Sequence, residues 1–130
     1  NFLLVADVLR SVAVLRFQEE HRTLSLVASD HRTTETTTLD FVVDGAQLGF
    51  LAVDGDGNLT VLGYVPEMRE SVSGSRLVPR GDVRLSGGVV ATFRVQFRPG
   101  EGASEGGALL EKRHANFLAL GHGRICALLP

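Results

Sequence analysis

The residues best suited to chemistry near the middle of this 130-residue chain form the acidic turn Asp54-Gly-Asp56-Gly-Asn58. Asp54, Asp56 and Asn58 are spaced like the first, third and fifth oxygen ligands of a calcium loop. The sixth position of such a loop requires glycine and is Leu59, and the twelfth requires a bidentate glutamate and is Val65. We therefore expect a tight hairpin turn here and no calcium site.

The histidines and the single cysteine lack the spacing of a metal or catalytic site. The four histidines fall in separate predicted loops, where we expect them to be solvated: His21, His31, His114 and His122. Cys126 lies in an apolar strand without a neighbouring base, so we expect a buried hydrophobe and not a nucleophile. One unpaired cysteine favours a reducing compartment. The sequence thus predicts no enzyme, no metal and no cofactor.

Arginines make up the basic concentration of the chain, and they are the candidate nucleic-acid contacts: Arg76, Arg80, Arg84, Arg94 and Arg98. The formal net charge of −2 gives no strongly basic total of the kind that dedicated nucleic-acid binders carry. An RNA-binding patch also needs aromatic rings beside the arginines. In the run 93–98 the phenylalanines alternate with the arginines, which predicts the rings on the opposite, core face. We expect a solvated sheet face, with RNA or DNA binding as the alternative.

The elements that position these residues are predicted to be β-strands, because apolar and β-branched residues recur in short runs between Gly, Asp, Asn and Ser clusters. The predicted strands are 11–17, 23–28, 39–43, 47–53, 59–65, 83–85, 89–97, 115–120 and 124–129. The run 89–97 alternates most clearly, which predicts Phe93 and Val95 on a buried face and Arg94 on a wet one. No apolar run approaches the roughly 18 residues of a membrane span. The fold class is therefore all-β.

The strand spacing fits a β-propeller fragment, about one full blade flanked by partial blades, with a β-sandwich as the alternative. We predict that 1–35 ends one blade, that 36–97 is the central blade, and that 114–130 is a hairpin of the next. A flexible Gly/Glu-rich loop is expected at 98–113. Both chain ends are apolar, whereas domain termini are usually polar, so we expect a piece of a larger folded region.

The connections 66–82 and 98–113 contain few apolar residues that could tie them to a core. We therefore expect both to project from the domain as adaptable surfaces that contact partner proteins.

Three stretches carry a resemblance to a known family: NFLLVADVLRSVAVLRFQEEHRTLSLVASD (1–30), VDGAQLGFLAVDGDGNLTVLGYVPE (43–67) and HANFLALGHGRICALLP (114–130). In order and spacing they resemble the C-terminal propeller region of the family of the largest subunit of the cleavage and polyadenylation specificity factor. That family is related to the large damaged-DNA-binding adaptor of cullin ubiquitin ligases and to a spliceosomal paralogue. The runs 46–50 and 64–67 favour the polyadenylation branch, and 71–113 departs most from the pattern.

The resemblance implies a nuclear, non-catalytic propeller scaffold that holds other protein subunits for pre-mRNA 3′-end cleavage and polyadenylation. It implies no catalytic residues, no cofactor, no membrane partner and no small-molecule substrate. RNA is a second candidate partner, and an adaptor-like or spliceosomal role is the alternative within the wider family.

Overall fold

Strands form nearly all the regular structure of the computed structural model, which describes residues 1–44, 47–97 and 113–129. One 3-10 turn, Arg69–Ser71, is the exception in these ranges. The strands are β1 (Phe2–Asp7), β2 (Ser11–Gln18), β3 (Thr23–Ser29), β4 (Thr36–Asp44), β5 (Gln47–Asp54), β6 (Asn58–Gly63), β7 (Val78–Arg84), β8 (Val89–Phe97), β9 (Arg113–Leu120) and β10 (Ile125–Leu128). No helix in the described ranges has the length and apolar character needed to cross a membrane.

The strands form three antiparallel sheets. The first sheet has the order β1-β2-β3, the central sheet β4-β5-β6-β7 and the third sheet β10-β9-β8. A four-stranded meander between two three-stranded ones is the pattern of one propeller blade between partial blades. The all-β prediction is confirmed, and the arrangement is consistent with a propeller fragment.

The central sheet is buried on both faces, which explains the unbroken apolar run in β5. Phe50 and Ala52 pack against the first sheet in one core cluster. Leu51 and Val53, which alternate with them, pack against Leu118 of the third sheet in a second cluster. Since successive side chains of a strand point to opposite faces, one strand contributes to both cores. The three sheets therefore stack face to face.

Strand β8 falls within the predicted central blade, 36–97, but it pairs with β9 in the third sheet. The fourth strand of the central sheet is instead β7, whose residues 78–82 were expected to be loop. Pro79 and Gly81 give this segment low strand propensity. Proline is tolerated because β7 is an edge strand, and a register shift opposite Val61 and Leu62 accommodates an extra residue.

The predicted burial of β8 is wrong at Phe93, whereas Arg94 is exposed as predicted and Val95 is half-buried. Directly paired residues of antiparallel strands share a face, and Thr92 pairs with Leu118, which lies in the core against the central sheet. Thr92 and Arg94 therefore project on the side of the central sheet. Arg94 is still exposed there, because β8 is an edge strand. Phe93 points outward and is 50% exposed. Alternation could not reveal this, because both faces of the third sheet carry apolar residues.

The connection between β6 and β7 is anchored to the core and does not project, contrary to the expectation for 66–82. Leu77 is buried in the first core cluster. Its N–H donates to the carbonyl of Ser29 at 3.0 Å, which ties the connection to the end of β3. The Ser71 hydroxyl is buried, donates to the Met68 carbonyl at 2.6 Å and accepts from the N–H of Gly74 at 3.1 Å. The expected flexible loop at 98–113 falls almost wholly on residues 98–112, outside the described part.

Candidate partner-binding surfaces

The acidic turn between β5 and β6 is a structural hairpin, as predicted. Asp54 Oδ1 accepts hydrogen bonds from the N–H groups of Asp56 and Asn58, at 2.9 and 2.8 Å. Asp54 Oδ2 accepts from Asn58 Nδ2 at 2.7 Å. Burial alone would raise the pKa of Asp54, but these hydrogen bonds outweigh it and lower that pKa below its usual value. The carboxylate therefore organises the turn.

The histidines differ from one another more than the sequence indicates. His21 and His31 are exposed, as expected, and so is His122, whose Nε2 lies 3.3 Å from the Ser86 hydroxyl. His114 is the exception, because it lies within β9 and its Nδ1 is buried without a hydrogen-bond partner in the described part of the chain. Cys126 is half-buried against the second core cluster. Among residues 1–44, 47–97 and 113–129, no three acidic, histidine or cysteine side chains group as metal ligands do.

The structure does not bring the candidate arginines together. Arg76 precedes β7 and pairs with Ser29 through an isolated bridge, whereas Arg94 belongs to the third sheet. Within β7 the extra residue places Arg80 and Arg84 on opposite sides of the central sheet. Arg84 pairs with Asn58 on the side of the first sheet, while Arg80 lies over Gly63 on the side of the third. Arg98 is outside the described residues. Nucleic-acid binding by these arginines stays a prediction.

The outer faces of the first and third sheets are apolar, and no other described strand packs against them. Cross-strand pairing aligns Leu3, Leu15 and Leu26 on the outer face of the first sheet, and Leu26 is 64% exposed. On the third sheet Phe93 stacks on Phe117 with ring centroids 5.3 Å apart. Exposed apolar faces of this kind mark surfaces that another element normally covers. Each outer face is thus a candidate for packing against a further sheet.

A buried asparagine joins the central and third sheets. Asn116 is 1% exposed, and its Nδ2 donates to Asp40 Oδ2 and to the Phe41 carbonyl, both at 2.9 Å. Its Oδ1 is buried and has no hydrogen-bond partner among the described residues. Local sequence patterns do not indicate this contact, because the partners of Asn116 lie 75 and 76 positions away in the chain.

Polar side chains also join the first and central sheets. The buried Ser11 hydroxyl donates to Asp30 Oδ2 at 3.0 Å on the first-sheet side, and it lies 3.5 Å from the Thr36 hydroxyl of β4 in the central sheet. Arg32 pairs with Asp30 at 3.3 Å and with Asp82 of β7 at 3.7 Å. Both interfaces of the central sheet therefore combine an apolar cluster with directional hydrogen bonds.

The family model described as CPSF A subunit region matches residues 1–130. The chain is 44% identical over 96 residues to the Drosophila melanogaster protein "Cleavage and polyadenylation specificity factor subunit 1", covering 74% of this chain and 7% of that protein. It is 38% identical over 91 residues to "Protein cft1" of Schizosaccharomyces pombe, covering 70% and 6%. It is 31% identical over 96 residues to the Arabidopsis thaliana subunit 1, covering 74% and 7%. The chain thus spans a small fraction of the length of these relatives.

Proposed function

Because the chain belongs to the CPSF A subunit region family, we propose that it is a non-catalytic propeller segment of a nuclear scaffold for pre-mRNA 3′-end processing. In this role it contributes blades to a larger propeller that holds the other protein subunits of the cleavage and polyadenylation machinery. The names of its relatives support the process, and the stacked sheets support the architectural role.

The observation that carries the proposal is the pair of apolar outer faces on a three-sheet stack. The central sheet shows what a covered sheet looks like, with side chains buried on both faces. The first and third sheets each bury one face against the central sheet. Their outer faces also carry apolar side chains, which are exposed in the described part of the chain. Two further sheets of the same type would cover Leu26 on one side and Phe93 on the other. On this proposal 1–35, 36–84 and 89–129 are a partial, a full and a second partial blade.

The use of the buried and half-buried carboxylates supports a non-catalytic role. Asp54 organises a hairpin, Asp30 accepts from Ser11, and Asp40 accepts from Asn116. Each carboxylate is thus engaged in holding backbone or sheets, whereas an active site needs ionisable groups that converge on an open space.

A charge placed on an outer face tests the proposal. In the full-length protein, Leu26→Asp should lower the melting temperature and reduce copurification of 3′-end processing subunits, because a covered apolar site cannot solvate a carboxylate. Leu9→Asp is the matched control, since Leu9 lies in the β1–β2 turn and is 81% exposed. If Leu26→Asp melts and copurifies like Leu9→Asp, the face is open in the whole protein and the propeller assignment fails.

Direct nucleic-acid binding is the alternative function, and a titration with RNA at two salt concentrations separates it from scaffolding. Phosphate contacts would make the affinity fall steeply with salt. The described arginines lie on two sheets and on both sides of β7. This arrangement does not favour a single continuous basic patch.

A further inference from the structure

The connection between β6 and β7 has a strained tip, which consists of Val72, Ser73 and Gly74. Their φ angles are +48°, +58° and +86°, so three successive residues adopt the left-handed conformation. Glycine adopts this conformation readily, whereas a β-branched residue such as valine does so rarely, because its Cβ comes too close to the backbone. The strain therefore lies at Val72 and Ser73.

Hydrogen bonds centred on Ser71 hold the tip in this conformation. The buried Ser71 hydroxyl donates to the Met68 carbonyl at 2.6 Å and accepts from the N–H of Gly74 at 3.1 Å, which closes the turn across Val72. The Ser75 hydroxyl donates to the Val72 carbonyl at 2.9 Å. Because the connection is also anchored to the core, the tip is a fixed element of the surface.

The strained conformation brings no packing of the Val72 side chain within the described part of the chain. Val72 is 61% exposed and belongs to neither core cluster. A single exposed valine is ordinary on a protein surface, but glycine at this position would relieve the strain with little loss of packing. Strain that is retained at a residue without a structural benefit points to a function for its side chain.

Charged residues border the exposed valine. Arg69 and Glu70 lie in the turn that precedes it and are both exposed, and neither forms an ion pair with another described residue. An apolar centre within a charged rim is the composition of a protein–protein contact. Since Val72 lies in a connection and on none of the three sheets, the packing of further sheets on the outer faces does not explain it.

We propose that Val72 is a preformed anchor that inserts into an apolar pocket on another protein subunit of the assembly. Arg69 and Glu70 face groups of opposite charge at the rim of that pocket. The fixed left-handed conformation presents the side chain before the subunit arrives, which reduces the entropy lost on binding. This inference rests on the proposed scaffold function and assigns one contact point to it.

Val72→Gly tests the inference because it should affect local stability and binding in opposite directions. The substitution removes the apolar side chain and also relieves the left-handed strain. In the full-length protein, hydrogen exchange in the segment 69–77 should be unchanged or slower. The binding probe is the set of other subunits of the cleavage and polyadenylation specificity factor, coexpressed with the full-length protein. After affinity purification, at least one of them should dissociate about tenfold faster or more, because a buried valine is lost from the contact.

Ser73→Gly is the matched control, because it relieves strain at the neighbouring left-handed residue and removes no apolar side chain. It should leave the dissociation rates within about twofold, as surface substitutions usually do. Val72→Ile keeps a β-branched apolar side chain and should retain binding.

Two results overturn the inference while the scaffold function stands. The first is that Val72→Gly and Ser73→Gly release the subunits at the same rate. The second is that Val72→Gly speeds hydrogen exchange in the segment 69–77, since the side chain then supports the fold. If the unchanged protein retains no subunit, the scaffold function fails and the inference fails with it.

Discussion

The most informative single perturbation is Asn116→Asp, which changes one atom type at the interface of the central and third sheets. Asn116 donates through Nδ2 to the Asp40 carboxylate and to the Phe41 carbonyl, both at 2.9 Å. The substitution removes both donors and places a second carboxyl group beside Asp40 in a buried position. A hydrogen bond to a neutral acceptor contributes about 1 kcal/mol and one to a charged acceptor about 1.5 to 3 kcal/mol. The loss of the two bonds alone is therefore about 2 to 4 kcal/mol.

The pH dependence distinguishes this mechanism from simple loss of packing. Two ionised carboxylates in contact repel each other, which costs free energy. The pair should therefore share a proton and titrate with a raised apparent pKa in the folded state. A carboxyl group whose pKa is raised on folding destabilises the protein above that pKa and is relieved as the pH falls. Asn116→Asp should thus be most damaging at neutral pH and recover part of its stability toward pH 5. Asn116→Ala, which has no group to titrate, should not recover.

Urea unfolding at pH 7 and pH 5 measures both effects. The matched control is Gln96→Glu, the same amide-to-acid change at an exposed position of β8, which should change the free energy of unfolding by less than about 0.5 kcal/mol. Equal effects of Asn116→Asp and Gln96→Glu at pH 7 would show that Asn116 does not join the sheets. A pH-independent loss would refute the carboxyl-pair argument.

Two further predictions concern the turn between β5 and β6. Gly57→Ala should lower the free energy of unfolding by about 1 to 3 kcal/mol, because Gly57 has φ +83° and a Cβ there would lie 2.7 Å from the Gly87 carbonyl oxygen; Gly81→Ala, with nothing within 4 Å, is the neutral control in the same melting experiment. The lowered pKa of Asp54 means that its ionised form stabilises the fold above the unfolded pKa and that this is lost as the pH falls through the folded value. In acid titrations followed by circular dichroism, Asp54→Asn should therefore flatten the loss of stability below about pH 4, and an unchanged profile would contradict the assignment.

Local patterns predicted the parts of the fold that depend on neighbouring residues. The apolar alternation and the turn chemistry of Asp54 indicated the strands and the β5–β6 hairpin, because both signals act within a few residues. The run Phe50 to Val53 shows apolar residues at four successive positions, which is the mark of a strand covered on both faces. The stretches 1–30, 43–67 and 114–130 resemble one family, and the family model confirms that the chain belongs to it.

The features that sequence reasoning missed depend on contacts between distant segments. β7 contains Pro79 and Gly81, and it becomes a strand because β6 supplies an antiparallel partner, which outweighs weak local propensity. The anchoring of Leu77 depends on Ser29. Charge counting grouped Arg80 with Arg84, but the irregular pairing between β6 and β7 separates them. The spacing of residues along a strand predicts a shared face only where the register is regular.

The two interfaces of the central sheet show why the stack has a defined geometry and not merely a large core. Apolar clusters attract without direction, so they fix that the sheets pack but not at which register. The contact between the Ser11 and Thr36 hydroxyls, at 3.5 Å, and the hydrogen bond from Asn116 to Asp40 cross between sheets and are buried or half-buried, and a shifted stack would leave their polar atoms unpaired at a cost of about 1 to 3 kcal/mol each. A misaligned stack with equal apolar burial would therefore be less stable because its polar groups are unpaired. These polar contacts thus select one arrangement of the sheets.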